Sequence, residues 1–199
     1  MQMTKTYDRD YFDHWYRRGG IGDATRLARK VALAVATAEY HLERPLRSVL
    51  DIGCGEGAWR APLRKLRPKL HYMGFDASEY AVARYGRSRG LHLARFGDFE
   101  FLRPCAPVDL LICSDVLHYL PTRELERGLP ALADLCSGIA FIETFTREDQ
   151  AMGDEDEFKS RPARFYRERL RATGLQQLGS HCWLSPQLAG RATSLELPN

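Results

Sequence analysis

From Ser48 onward, short apolar runs alternate with stretches whose apolar residues recur at helical spacing. The apolar runs, bounded by turn residues, predict strands over 48–52, 72–75, 92–96, 108–114 and 139–144. The stretches between and after them predict helices over 58–66, 79–89, 122–135 and 164–172. Alternation of this kind means βαβ units, right-handed crossovers and helices packed on both faces of a parallel sheet. Two further runs, 181–184 and 192–197, have no helix between them and are expected to form an antiparallel hairpin at the sheet edge. The expected fold is α/β: a doubly wound, mostly parallel seven-stranded sheet with an antiparallel last strand.

Residues 1–47 precede the first strand and read as an N-terminal helical extension to a compact domain over 48–199. Asp23 is placed to cap a helix whose apolar positions, Leu27, Val31, Val35, Ala38 and Leu42, share one face. Before it, Tyr7, Tyr11, Phe12, Trp15 and Tyr16 put five aromatics into ten residues. They are either core packing or a lid over the C-terminal edge of the sheet, where ligands bind in open α/β folds.

The chemistry concentrates at the end of the first strand. Val49-Leu50-Asp51-Ile52-Gly53-Cys54-Gly55-Glu56-Gly57 runs from apolar residues through a carboxylate into three glycines. A tight turn, and close approach of a ligand to the backbone, both need residues without a Cβ. The helix expected from Ala58 would aim its unpaired N–H groups at whatever the turn holds. Gly53, Gly55 and Ala58 satisfy the dinucleotide pattern G-x-G-x-x-G/A, with Asp76 as the ribose ligand 25 residues after Asp51. Against that reading, the Asp51 carboxylate would face an anionic pyrophosphate. A cofactor with an ammonium for Asp51 and a carboxylate for the helix N-terminus suits these residues better.

Composition adds bounds. The chain has 199 residues, 44% hydrophobic and 28% charged, enough for one domain with a sizeable core. No apolar run approaches the roughly 20 residues of a membrane span, and the N-terminus lacks the apolar stretch of a signal peptide. Five cysteines at wide spacings, without a Cys-x-x-Cys pair, argue against a disulfide framework and a zinc site, and a reduced cytoplasm is expected. Net charge is +3. The basic clusters Arg60, Arg64, Lys65, Arg67, Lys69 and Arg161, Arg164, Arg167, Arg169, Arg171 read as solvated helix faces rather than a nucleic-acid footprint, because the excess is small and unfocused.

Asp51, Gly53, Gly55 and Gly57 fill every fixed position of the [D/E]-x-G-x-G-x-G turn, and here the chain resembles the class I, Rossmann-like S-adenosylmethionine-dependent methyltransferases. The resemblance extends over about 48–199. Tyr72-Met-Gly-Phe-Asp76-Ala77-Ser78 is similar to the family's second strand, whose terminal acid accepts from both ribose hydroxyls. Phe96-Gly97-Asp98-Phe99 resembles the loop after the third strand and implies Asp98 and Phe99 at the adenine. Ser114, Asp115 and the exit loop through His118, Tyr119 and Pro121 resemble the segment beneath the methionine part, facing the acceptor. What the resemblance implies is S-adenosyl-L-methionine as cofactor, with Asp51, Gly53, Cys54, Gly55, Asp76, Ala77, Gly97, Asp98, Phe99, Ser114 and Asp115 around it. Cys54 enters as the small residue the turn needs, not as a nucleophile.

Methyl transfer is an in-line displacement on an activated carbon, so alignment and exclusion of water are the protein's main tasks. His118 is either the general base for a protonated acceptor or a histidine that only packs beside the cofactor. Tyr11, Trp15 and Tyr16 are candidates to close over the sulfonium, whose charge aromatic faces attract. Tyr16 and Tyr119 are also candidate contacts to the acceptor, and Glu143 is another. The acidic stretch 153–157 is expected to be a solvated loop. Nucleobase amino-methylating enzymes carry an Asn/Asp-Pro-Pro-aromatic run after the fourth strand, and Ser114-Asp115-Val116-Leu117 stands here instead. The one Pro-Cys pair, Pro104-Cys105, precedes the fourth strand and so is misplaced for cytosine-C5 chemistry. A small-molecule O or N acceptor is expected, with no membrane partner and no metal. An RNA or protein methyltransferase, or another use of the same cofactor, is the nearest alternative; an NAD(P)-dependent oxidoreductase or a non-catalytic nucleotide-binding subunit is a further one.

Overall fold

The computed structural model describes residues 8–14, 23–149 and 158–195. Trp15, Tyr16 and the acidic stretch 153–157 lie outside the described residues. Seven strands form one sheet: β1 (Ser48–Ile52), β2 (His71–Asp76), β3 (Leu91–Leu93), β4 (Val108–Ser114), β5 (Cys136–Glu143), β6 (Gln176–Gly179) and β7 (Cys182–Leu184), in the order β3-β2-β1-β4-β5-β7-β6. The first five pair in parallel. β7 pairs antiparallel with both β5 and β6, so six strands share one direction and β7 alone opposes them.

The central strands carry apolar residues on both faces, as a doubly covered sheet requires. Leu110 and Ile112 of β4 face one core layer, with Val31, Val35 and Ala38 of α2 (Ala24–Leu42) and Leu63 of α3 (Arg60–Leu66). Val82 and Tyr85 of α4 (Glu79–Arg89) pack against the same layer. Leu111 and Cys113 face the other, with Leu125, Leu129 and Leu132 of α5 (Thr122–Asp134) and Tyr166 and Leu170 of α6 (Ala163–Ala172). Asp23 caps α2 by accepting a hydrogen bond from the Thr25 N–H at 2.8 Å. The short α1 (Arg9–Phe12) is capped the same way by Asp8 and buries Phe12.

Because the chain winds β1-β2-β3 to one side and β4-β5 to the other, strand order reverses between β1 and β4. Ligands bind in open α/β sheets at such a switch point, beyond the strands' C-terminal ends.

The structure corrects three boundaries. The third strand stops at Leu93, because Phe96–Glu100 turns into a 3-10 helix that buries Phe96 and Phe99. The helix after the glycine turn starts at Arg60 rather than Ala58, because the turn itself occupies the intervening residues. The edge hairpin is real but pairs β6 with β7; residues 192–195 form no strand, and Leu195 is 96% exposed. Gln176-Gln177-Leu178-Gly179 lacks an apolar face, so the strand leaves no hydrophobic signature. Gly179, Ser180 and His181 at positive φ make the tight connection.

Candidate active site

β1 ends in the glycine turn, and all three glycines adopt positive φ: 75° at Gly53, 52° at Gly55 and 75° at Gly57. A Cβ at Gly53 would lie 2.1 Å from Val116 Cγ2, and one at Gly55 would lie 3.3 Å from the Phe12 ring. The glycines therefore provide both the left-handed backbone and the space. Above them, at the β1/β4 switch point, opens a cleft that communicates with solvent.

Of the residues expected at the site, Tyr11, Gly53, Gly55, Asp76, Ala77, Asp115 and Tyr119 line this cleft. Asp76, at the end of β2, accepts from the Gly55 N–H at 2.7 Å and from the Ser78 N–H at 2.8 Å, which joins the ends of the first two strands. Burial raises its pKa, and these N–H bonds oppose that shift. Asp115 follows β4 with φ 61°, a strained backbone for a residue with a side chain. Its N–H donates to the Glu143 carbonyl at 2.9 Å, and its Oδ1 is buried without a hydrogen-bond partner among the described residues. Burial, reinforced by the charge of Glu143, pushes the Asp115 pKa up to about 6.

Other expected residues lie beneath or beside the cleft. Asp51 is 1% exposed and accepts from the Tyr72 hydroxyl at 2.7 Å, under the turn rather than in the cleft wall. Burial raises its pKa to about 7; the charge of Asp76 adds to the rise and the Tyr72 bond offsets part of it. Cys54 is buried, and its thiol pKa is driven far up by that burial and by Asp51 and Asp76. Ser114 donates from Oγ to Glu143 Oε2 at 2.7 Å, and Lys30 of α2 donates to the same oxygen at 2.5 Å. His118 is 1% exposed, with Thr144 Oγ1 3.0 Å from Nδ1 and the Phe145 N–H donating to that nitrogen at 3.3 Å. Its ring is packed among Tyr119, Phe145 and Phe158, so it braces the exit loop from behind.

Gly97 is buried against α5, Phe99 meets Phe75 edge-on in the core at 5.4 Å, and Asp98 is exposed with Oδ2 on the Arg95 N–H at 2.8 Å. Phe12, Ile52, Ala94, Phe96, Val116, Leu120 and Glu124 complete the wall without having been singled out as ligands. Six are apolar residues whose sequence signal is that of ordinary core. Glu124 reads as an acid in a helix's first turn, where the macrodipole already explains it.

Both basic clusters are partly committed to internal contacts. Arg67 pairs with Glu39, Arg161 donates to the Leu120 carbonyl, and Arg169 stacks on Phe165.

Asp76, Asp115 and Glu124 put three carboxylates in the cleft wall, and no lysine or arginine joins them among the described lining residues. That surface repels a pyrophosphate and suits a cofactor whose charged groups include an ammonium and a sulfonium. The glycine cradle and the carboxylate at the end of β2 fit the same group. Residues 14–187 match the family of methyltransferase domains. The chain belongs to the class I S-adenosylmethionine-dependent methyltransferase family. Over 79 residues this methyltransferase is 33% identical to the trans-aconitate 2-methyltransferase of Deinococcus radiodurans, a match covering 40% of the chain and 30% of that protein. Its fold is similar to a crystal structure of a SAM-dependent methyltransferase from Archaeoglobus fulgidus, with TM-score 0.63, 17% identity, and 85% and 76% of the two chains covered. The sugar N-methyltransferase KedS8 from a Streptoalloteichus species matches 72% of this methyltransferase and 57% of its own chain, with TM-score 0.56 and 22% identity.

Proposed function

We propose that this methyltransferase moves the methyl group of S-adenosylmethionine to an oxygen or nitrogen of a small molecule. The observation that carries the reading is the cleft itself: Tyr11 and Phe12 of α1 and Tyr119 and Leu120 after β4 line it together with its carboxylates, a lining that suits a compact acceptor beside the cofactor. Trans-aconitate and sugar amines, named for the relatives above, are both compact acceptors of this kind. The cofactor supplies an already activated methyl carbon. The chain's residues have to hold the nucleophile in line, keep water out, and take a proton where the acceptor brings one.

In this reading the glycine turn holds the methionine part, Asp76 and Ala77 hold the ribose, and Tyr11 and Tyr119 bound the acceptor. Asp115 is the proton acceptor, since it lines the cleft with an Oδ1 that has no hydrogen-bond partner among the described residues, whereas His118 Nδ1 already has Thr144 and Phe145 as neighbours. A carboxylate with its pKa near 6 is mostly ionised at neutral pH, as a general base must be.

Incubating the protein with methyl-labelled S-adenosylmethionine and a cell extract is the direct test. Label is expected in acid-soluble small molecules; label confined to precipitable protein or RNA would overturn the small-acceptor reading. With the acceptor so found, Asp115→Asn should lower kcat roughly 100-fold or more and remove the acid limb of the pH profile near 6. S-adenosylhomocysteine affinity should be unchanged. A loss of that affinity with kcat retained would move Asp115 from the proton to the cofactor's ammonium.

A further inference from the structure

The end of the cleft nearest β3 is built differently from the rest. Ala94, held to β2 by donating its N–H to the Asp76 carbonyl at 3.1 Å, forms an apolar slot with Phe96 and Leu120. One polar side chain enters this slot: Glu124, in the first turn of α5. Two glycines bring it there. A Cβ at Gly97 would stand 3.0 Å from Glu124 Cγ, and a Cβ at Gly128 would collide with the Phe96 ring at 2.4 Å, so α5 seats against the 96–97 turn only because both lack side chains. Among the described residues the Glu124 carboxylate accepts one hydrogen bond, a long one of 3.3 Å from the Gly97 N–H to Oε1. Most of its accepting capacity stays available to a ligand.

Asp98, the acid at the position the family resemblance assigns to adenine, is turned the other way. It is exposed, closes its own 3-10 helix through the Arg95 N–H, and takes no part in the cleft wall. The adjoining Phe99 is core.

We propose that Glu124 is the residue that reads the purine of the cofactor, accepting from its exocyclic amino group in the place where Asp98 would be expected to act. The inference rests on S-adenosylmethionine being the cofactor. The apolar walls take the faces of a flat base, and the carboxylate selects its edge. At position 6 an amino purine offers N–H donors to a carboxylate, whereas a 6-oxo purine offers lone pairs there and carries its N–H on N1, so it meets the carboxylate with the wrong group. A site that hydrogen-bonds one group rejects the analogue lacking it far more strongly than an apolar pocket can.

Calorimetric titration with S-adenosylhomocysteine and its 6-oxo counterpart, S-inosylhomocysteine, tests this without any acceptor. The wild type should prefer the amino form by about 100-fold or more. Glu124→Gln, which can donate to the oxo group, should reduce that preference to about tenfold or less, with the Tm retained. Glu124→Asp should weaken both ligands yet keep the preference, and Asp98→Asn should change neither. The proposal is overturned if Glu124→Gln keeps the full preference, if Asp98→Asn abolishes it, or if the wild type binds both ligands equally. A wild type that binds neither ligand removes the cofactor reading itself, and the proposal with it.

Discussion

Asp51 occupies one of the most costly positions in the molecule. Its carboxyl is 1% exposed, its hydrogen-bonded neighbour is the Tyr72 hydroxyl, and burial lifts its pKa to about 7. The folded state thus holds this proton over a range in which the unfolded chain, with its carboxyl near pH 4, has lost it. Ionising the buried group is therefore a cost that grows as pH rises from about 4 to about 7, and the contribution runs against folding over that window. Three pH units at about 1.4 kcal/mol each set an upper bound of roughly 4 kcal/mol. Asp51→Asn keeps an oxygen for Tyr72 and removes the titration. Its urea midpoint should fall less than that of the wild type between pH 5 and 7.5, and at neutral pH it should be at least as stable. Parallel pH profiles for the two proteins would show that Asp51 is not the titrating group. The same burial explains why an acid so prominent in the sequence is not itself in the cleft wall. It underlies the turn from below and keeps its proton up to about pH 7, while Asp76, Asp115 and Glu124 line the cleft.

At the scale of elements, the turn after β1 is the most tightly specified piece of backbone. A methyl at Gly53 would meet Val116 Cγ2 at 2.1 Å, on a residue held at φ 75°. The left-handed backbone alone costs roughly 1–2 kcal/mol for a residue with a side chain. Gly53→Ala should therefore lower the Tm and weaken S-adenosylhomocysteine binding by about tenfold or more. Adding Val116→Ala should restore part of the Tm but not all, since it relieves the contact and leaves the strained φ. Full recovery in the double variant would mean that space, not conformation, selects the glycine. This turn was legible because positive φ and short space coincide at its three glycines, where no side chain fits. β1, β2, β4 and β5 were legible because burial on both faces demands unbroken apolar runs. β6 was not, because an edge strand such as Gln176–Gly179 needs only backbone pairing and bears half-buried polar side chains. The run expected over 192–197 differs for the opposite reason: its apolar residues suggest a strand, but among the described residues 192–195 form none and Leu195 is exposed, while 196–197 lie outside the described residues. Within the site, the residues at strand ends could be placed from the alternation alone. Glu124 could not, because its position depends on how α5 docks across Gly97 and Gly128, a tertiary fact with no local signature.

Across the whole molecule, the Arg44–Asp109 pair and the carboxylates of the cleft lie at opposite ends of the sheet. Where β1 and β4 begin, Arg44 grips Asp109 through two hydrogen bonds of 2.8 and 2.7 Å, and the Arg47 N–H donates to the same carboxylate. These contacts lower the Asp109 pKa in spite of its burial, and the group keeps its stabilising charge at neutral pH. Where the strands end, Asp76, Asp115 and Glu124 share a cleft with no compensating lysine or arginine among the described lining residues. Crowding like charges in a partly buried space is unfavourable until a ligand with cationic groups enters. Ligand binding should then appear as a gain in global stability, since the folded chain alone presents the assembled cleft. At a concentration 100 times its Kd, a single ligand stabilises by about 2.7 kcal/mol. For a chain of 199 residues this corresponds to a rise in Tm of about 5–10 °C. Saturating S-adenosylhomocysteine should produce that shift in differential scanning fluorimetry, and NAD or NADP at the same concentration should produce none, because their pyrophosphate meets three carboxylates. A shift with NAD(P) and none with S-adenosylhomocysteine would mean that the cleft binds a dinucleotide in spite of its charge. Asp115→Asn should raise the melting temperature of the free protein by relieving the crowding and leave the ligand-induced gain intact, since the affinity is unchanged; an unaltered melting temperature would mean that packing rather than crowded charge limits the stability of the free cleft.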